Sequence, residues 1–420
     1  MEGGWVVAGQ IASVLGSLLL VRVLTEHLNP ALYGQLALGL TVATLMTQLV
    51  MGGVINAIGR FFVVAAEQRA LHVYFRASQY LMLRATQVVF VIGVALVSGL
   101  YGFGFARWIP MSLAALLFAI LTSYNAALSG IQNAARQRAV VAVHGGVDAW
   151  LKILFAWLVL KWWGSQVVDI VLAYVASAFL VNVSQLLTLR RKVTLAKEAV
   201  SAPVFAEWCG KMFRYSMPFA TWGIFTWFQL VSDRWALEVF ATTEDVGLYT
   251  VLFQIGVTPI TIAATAVISF LAPILYGRAG DALNPARTTN VRNITRQTMI
   301  ASLFLTLCAF FLAVFLHSWV FQLLVSSRYF VVSHLLPWMV LAGGVFATGQ
   351  ILAIKLMSDM QPGLMAQAKI VTAVVGVCFN VFGAFFAGLY GVIVAQLAFS
   401  FLYFAWMVRV AFHARSTIET

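Results

Sequence analysis

The chain has 420 residues, of which 62% are hydrophobic and only 10% charged, with a mean hydropathy of +0.93 and a formal net charge of +12. A soluble domain sits nearer half apolar and a quarter charged, so a soluble fold is excluded, and the apolar runs are too long and too unalternating for barrel strands. In a soluble chain the basic excess would suggest nucleic acid; in a polytopic α-helical membrane protein it marks the cytoplasmic loops, and no nucleic-acid partner is expected.

Twelve helical spans are predicted, over 5–22, 34–57, 79–102, 110–131, 140–161, 167–189, 216–239, 246–275, 298–320, 330–356, 364–387 and 389–411. Several exceed the ~20 residues a crossing needs, which allows tilt or interfacial extension. The first has no basic leader and no small-residue cleavage site after it, so a retained helix is expected rather than a signal peptide. Placing the N-terminus in the cytoplasm puts twenty of the 26 Lys and Arg residues on inner loops and their flanks. Only Arg22, Arg107, Lys161, Arg234 and Arg328 fall outside, and Lys152 lies within a span. Both termini are therefore expected to be cytoplasmic. Outer connections are about ten residues or fewer, whereas the inner ones at 58–78, 190–215 and 276–297 are longer. Segment 58–78 carries enough apolar residues between its charges to lie on the inner membrane surface.

The first span runs out through "VRVLTEHLNPALYGQLAL" and the seventh through "DRWALEVFATTEDVGLYTVL". Both read Arg, three residues, Glu, a short loop, then Gly opening the next span: Arg22, Glu26 and Gly34 match Arg234, Glu238 and Gly247 with one extra residue. Six spans precede the basic loop at 190–215 and six follow it. The expected organisation is an N-terminal six-helix lobe over 1–189, a cytoplasmic linker over 190–215 and a C-terminal six-helix lobe over 216–420. An even number of spans per half makes the halves parallel repeats, as in transporters whose substrate sites lie at the repeat interface. Two readings of Arg22 and Arg234 follow. Each is an interfacial anchor with a local i,i+4 Glu pair, or each offers its planar fork to an anion such as phosphate. Asp233, next to Arg234, would hold that side chain in place. Arg60, at the inner end of the second span, is an ordinary positive-inside residue or an entry-side cation.

The fifth span holds "HGGVDAWLK", which puts His144, Asp148 and Lys152 four residues apart on nearly one helix face. A charge near the bilayer centre costs ~2.5–3.5 kcal/mol on insertion scales. The stripe is either a self-neutralising Asp–Lys pair or the lining of a wet cavity, where Lys152 offers positive charge and Asp148 or His144 carries a proton. Amides inside the spans, Gln48, Asn56, Asn125, Gln132, Asn182, Gln229, Gln254, Gln350 and Asn380, read mostly as contacts between helices, with some free for sugar hydroxyls. Trp162 and Trp163 read as part of an interfacial belt. There is no P-loop, no H-E-x-x-H and no Cys/His cluster, so no ATPase, metal or cofactor is expected. The three cysteines, Cys209, Cys308 and Cys378, show no pairing pattern. A membrane enzyme such as a glycosyltransferase or polymerase would need a catalytic outer loop, and none is long enough.

"RVLTEHLNPALYGQLAL" followed by "GGVINAIGRFF" resembles the opening of the polysaccharide transporter family, the Wzx-type flippase branch of the multidrug/oligosaccharidyl-lipid/polysaccharide (MOP) exporter superfamily. "RYSMPFATWGIFTWFQLVSDRWALEVFATTEDVGLYTVL" resembles the start of that family's second half, and "YNAALSGIQNAARQR" also fits. The resemblance covers the chain in length, span number and loop plan. It implies an all-α fold of about twelve transmembrane helices, in two pseudo-symmetric lobes around a central cavity, working by alternating access. It also implies flipping of undecaprenyl-diphosphate-linked oligosaccharides to the outer leaflet of a bacterial inner membrane, for O-antigen, capsule or exopolysaccharide synthesis. Membrane lipid, a coupling H⁺ or Na⁺ and polysaccharide polymerase machinery are the implied partners. Arg22, Arg60, Lys152 and Arg234 are the candidate cations for the pyrophosphate, with His144, Asp148 and Asp233 for ion coupling or charge pairing. The alternative on the same fold is an H⁺- or Na⁺-coupled exporter of small organic cations, which would depend on Asp148.

Overall fold

Long apolar runs without water must satisfy their own backbone groups, and a helix does so within one segment. The computed structural model describes residues 2–192, 201–279, 285–358 and 362–413, and every regular element among them is helical. The helices are α1 (Glu2–His27), α2 (Pro30–Met46), α3 (Gly52–Glu67), α4 (Leu71–Gly102), α5 (Ile109–Ala134), α6 (Arg138–Trp162), α7 (Val167–Lys192), α8 (Ala202–Phe240), α9 (Thr243–Gly256), α10 (Thr258–Ala279), α11 (Pro285–Leu324), α12 (Leu336–Ser358) and α13 (Pro362–His413). A π-helical turn at Thr47–Met51 joins α2 to α3, and a 3₁₀ segment at Ser327–Leu335 leads into α12.

Ten stretches of the described residues are long and apolar enough to cross a membrane. One of them, Gln367–Phe412, has 46 residues. At 1.5 Å per residue that is about 70 Å, twice the ~30 Å hydrocarbon core. It is broken at Ala387 (φ −143°) and Gly388 (φ 52°, ψ −131°), so it makes two crossings. Gly388 sits in a backbone region that side chains avoid. Beyond the break the chain turns back on itself, and a Cβ on Gly383 would meet the carbonyl oxygen of Gly391. With α8 over the predicted seventh span, the crossings number the twelve expected from hydropathy, and the multi-pass helical membrane fold stands.

The loops differ from expectation. Segment 58–78 is not a separate surface helix. Instead α3 runs on to Glu67 and α4 begins at Leu71, leaving a tight turn with Arg69 in the left-handed region (φ 54°). The apolar residues of that segment serve the packing between α3 and α4: Phe62, Ala65 and Tyr74 are buried, and the Tyr74 hydroxyl donates to the Ile58 carbonyl at 2.7 Å. Residues 202–215 likewise continue α8 as helix. There Trp208 and Met212 are buried, and Phe61 meets both Trp208 and Tyr215 edge-on. Charges interleaved with these side chains lower the local hydropathy, so span prediction stops short of the true helix ends.

The chain divides into two compact units, one of Met1–His27 with Gln35–Trp227 and one of Leu28–Gly34 with Phe228–Thr420. In the first unit α1 and α6 approach through small residues. A Cβ on Gly9 or on Gly16 would lie 2.9 Å from the Cβ of Ala142 or Ala149 respectively. Small residues at such seams let helix backbones come close where lipid supplies no hydrophobic drive. In the second unit α9 starts on a capped turn. The Thr242 hydroxyl accepts from the Asp245 backbone N–H at 3.1 Å, and Glu244 and Asp245 occupy the positive end of the helix.

Candidate functional site

The Gly–Ala seam with α1 fixes how α6 is rotated. Ala142 and Ala149 face α1, and this turns His144, Asp148 and Lys152 toward α5 and α7. Lys152 Nζ pairs with Asp148 Oδ2 at 2.5 Å, and each side chain is 20% exposed. Asp148 Oδ1 accepts from the Ser177 hydroxyl at 3.1 Å, and the Lys152 ammonium lies 5.4 Å from the Phe118 ring centre. His144 Nδ1 is 2.8 Å from the Val140 carbonyl and Nε2 is 3.1 Å from the Ser184 hydroxyl. A carbonyl only accepts, so the neutral ring carries its proton on Nδ1 and accepts from Ser184. Beside this stripe, α5 and α7 are joined by amides: Gln185 donates to Gln132 Oε1 at 3.0 Å, and Asn182 to the Leu121 carbonyl at 2.7 Å.

The Asp–Lys pair has a measurable consequence. D148N keeps an acceptor for Ser177 but strips Lys152 of its counter-ion. Breaking a fully buried pair costs 3–5 kcal/mol; with a fifth of each side chain exposed, the expected loss is about 1–2 kcal/mol. The melting midpoint of detergent-solubilised D148N should fall by several degrees, and D148N/K152M should recover most of it. A D148N midpoint equal to wild type would remove the pair from the account. Export by the recovered double variant then separates a packing role for Lys152 from a substrate role.

In the second unit, the charges of the seventh span meet on α8 and α9. Asp233 is buried, and its Oδ2 accepts from the Tyr249 hydroxyl at 2.7 Å. Asp233 Oδ1 accepts from the Arg234 backbone N–H at 2.7 Å and lies 3.4 Å from the Arg234 guanidinium. That guanidinium also donates to the Leu230 carbonyl at 2.9 Å and stands 5.1 Å from the centre of the Phe253 ring. Arg234 is thus fixed by an acid, a carbonyl and an aromatic face. The local Arg–Glu pair read from the repeat forms only in the first half, where Arg22 reaches Glu26 at 2.7 Å. Arg234 turns instead to Asp233, and Glu238 Oε2 is buried with no hydrogen-bond partner among the described residues. The reason is local: the Asp233 carboxylate, pinned by Tyr249, lies within reach of the guanidinium. Arg60 is exposed on α3 and carries no ion pair among the described residues.

The structure brings the candidates into two groups. His144, Asp148 and Lys152 share the face of α6 toward α5 and α7, and Asp233 with Arg234 joins Tyr249 and Phe253 in the other unit. Tyr249 and Phe253 were not singled out in the sequence; their i,i+4 spacing one span on from Asp233 was the available signal. A pocket of about 360 Å³ opens beside Asp233, within the second unit. Among the described residues, no group of three or more His, Cys, Asp or Glu could hold a metal ion.

The family described as "Polysaccharide biosynthesis protein" matches residues 2–276. The chain belongs to this family. No curated protein matches its sequence. Solved structures similar to this polysaccharide biosynthesis protein include transporters of the MOP superfamily. An inward-facing multidrug resistance MATE family transporter aligns at a TM-score of 0.70 and 14% identity, over 96% of this chain and 94% of that one. The lipid II flippase MurJ in an inward closed conformation aligns at 0.69 and 10% identity, over 96% and 86%. A MOP superfamily transporter from Pyrococcus furiosus, with a binding pocket described as of reverse polarity, aligns at 0.62 and 14%, over 98% and 96%. At these identities the likeness establishes the fold, which is the one the sequence motifs implied.

Proposed function

We propose that this polysaccharide biosynthesis protein is a flippase rather than an enzyme. It moves undecaprenyl-diphosphate-linked oligosaccharide from the cytoplasmic to the outer leaflet of a bacterial inner membrane, for O-antigen, capsule or exopolysaccharide assembly. The observation that carries the reading is the family match over 2–276, on a chain built of membrane-spanning helices with short connections. The substrate joins an anionic pyrophosphate to a polar glycan and a lipid tail. Arg234 suits the pyrophosphate because its planar fork can donate two parallel bonds to phosphate oxygens. Its bonds to Asp233 and the Leu230 carbonyl hold the side chain in one place before the substrate arrives. Arg22, Arg60 and Lys152 are the further cations, and His144, Asp148 and Asp233 are the groups for a coupling H⁺ or Na⁺. In this reading both termini face the cytoplasm, and polysaccharide polymerase machinery receives the product.

The test is lipid extraction from a deletion strain whose glycan synthesis is intact. A full-length lipid-linked repeat unit should accumulate, inaccessible to a probe acting from outside, and its sugars would name the substrate. Normal surface polysaccharide without accumulation in a strain lacking every related flippase would refute the reading. The MATE transporters among the fold neighbours favour one alternative, export of small organic cations coupled to H⁺ or Na⁺. That alternative requires resistance to lipophilic cations and dye efflux that depend on Asp148.

A further inference from the structure

Amides inside the membrane are costly unless they find partners. In this protein several of them do. Gln132 meets Gln185, Asn182 meets the Leu121 carbonyl, Gln254 accepts from Tyr33, and Asn380 donates to Ser232. Others do not, and three of these come together: Gln229 on α8, Gln350 on α12 and Gln396 on α13. All three line the pocket of about 360 Å³ beside Asp233, and none has a side-chain hydrogen-bond partner among the described residues. Their amide atoms are not sealed away either, because none is among the buried polar atoms lacking a partner. They come from positions more than a hundred residues apart in the case of Gln229 and Gln350, and from three separate helices. Each carries one acceptor and two donor hydrogens. The remaining wall is aromatic: Phe253, Phe346 and Phe399 border the same space, with Phe346 and Phe399 5.6 Å apart at their ring centres.

We propose that this pocket is a glycan subsite that holds a neutral sugar residue of the transported oligosaccharide. The proposal rests on the flippase reading and assigns a substrate group to a place in the second unit. The chemistry of the lining selects the ligand. Three amides that donate and accept match a ring of hydroxyls, each of which also donates and accepts. Phenylalanine faces match the apolar C–H faces of a sugar ring. Among the described residues, Asp233 is the only ionisable side chain on the lining, and its two oxygens already accept from Tyr249, from the Arg234 backbone and from the Arg234 guanidinium. A cation therefore meets a carboxylate whose charge is offset, an anion meets a carboxylate, and an apolar guest leaves three amides unmet. The volume falls within the range of small-ligand sites, which combine an apolar lining with a few placed polar groups. Arg234, one residue from Asp233, stands next to this pocket, which places a sugar and a phosphate-binding group side by side on one helix. Because a site built on hydrogen bonds rejects ligands that lack the matching hydroxyl, these three amides are also where discrimination between repeat units is set.

The test is thermal unfolding of the purified full-length protein in detergent. It is titrated with methyl glycosides of common hexoses and N-acetylhexosamines and with their disaccharides, and separately with sodium chloride. At least one sugar should raise the wild-type midpoint by about 2–4 °C at saturation. The Q229M/Q350M/Q396M variant, which keeps side-chain volume and loses the amides, should show none of that shift. If the triple variant does not fold, the three single Gln→Met variants replace it, and each should lose part of the shift. No protection by any sugar, equal protection of wild type and variants, or protection by sodium alone would overturn the proposal. The flippase reading fails on a different result, the absence of lipid-linked intermediate in the deletion strain, so the two failures are told apart.

Discussion

Replacing Gly247 with Val should destabilise the protein by about 3 kcal/mol or more, the largest stability loss expected from any single substitution here. Gly247 lies one turn into α9 and Gly34 one turn into α2, and the two glycines touch. A Cβ on Gly247 would overlap the carbonyl oxygen of Pro30, and a Cβ on Gly34 would overlap the carbonyl oxygen of Thr243. Both obstacles are backbone atoms, so no rotamer change relieves them. The surroundings are also closed. Tyr33 donates to Gln254, Tyr329 donates to the Leu28 carbonyl at 3.1 Å, and Tyr33 meets Tyr329 edge-on at 6.0 Å. Gly34→Val should behave like Gly247→Val. The control is Gly59→Ala, at a position with nothing within 4 Å of an added Cβ, where the midpoint should hold or rise slightly through better helix propensity. Midpoints and membrane protein levels measure all three. If Gly247→Val is as stable and as abundant as wild type, the close crossing of α2 and α9 is not as described.

Replacing Arg234 with Ala should lower export of lipid-linked glycan at least tenfold while most of the protein stays folded, the tenfold corresponding to about 1.4 kcal/mol of lost interaction. The protein tolerates the change because Asp233 keeps two of its donors, the Tyr249 hydroxyl and the backbone N–H of residue 234. A moderate fall in stability is expected from the loss of the guanidinium beside that buried carboxylate. R234K separates charge from geometry. Lysine restores a point charge but cannot donate two parallel bonds to a phosphate, so export should recover only in part. D233N tests the support: with the carboxylate gone, Arg234 keeps the Leu230 carbonyl and the Phe253 face but loses its acid. Export should fall less than in R234A. Surface polysaccharide normalised to the amount of protein in the membrane gives the answer. An R234A variant that exports at the wild-type rate would sink the role assigned to this side chain.

The repeat shows how far the residues speak for themselves. The spacing Arg, three residues, Glu, loop, Gly is visible in both halves, and it located two helix ends and two glycines. It did not reveal that those glycines meet, because contact depends on how two distant helices cross. Of the two acids the residues suggested for Arg234, Glu238 through the repeat and the adjacent Asp233, the structure uses Asp233. The i,i+4 geometry makes Glu238 available, but Tyr249, sixteen residues from Asp233, pins that carboxylate within reach of the guanidinium. Gln229 and Gln350 were visible as amides inside spans, whereas Gln396 was passed over. Nothing local distinguishes an amide that reaches a neighbouring helix, as Gln132 does, from one that reaches a pocket.

The sequence by itself determined the class of protein, the twelve crossings and the break between the last two of them. Hydropathy over ~20 residues is a property of the chain read locally, and it set the boundary between the last two spans at residue 388, where the helix breaks. The helical extensions of α3, α4 and α8 over 58–78 and 202–215 were decided only in three dimensions. There, buried Phe62, Tyr74, Trp208 and Met212 make helix of segments whose charges look like loop. The same holds for the site. Which face of α6 carries Asp148 into contact with Ser177, and which three glutamines share one space, depends on the rotation of each helix about its axis. That rotation is fixed by packing at small residues such as Gly9 and Gly16, on other helices and far away in the chain.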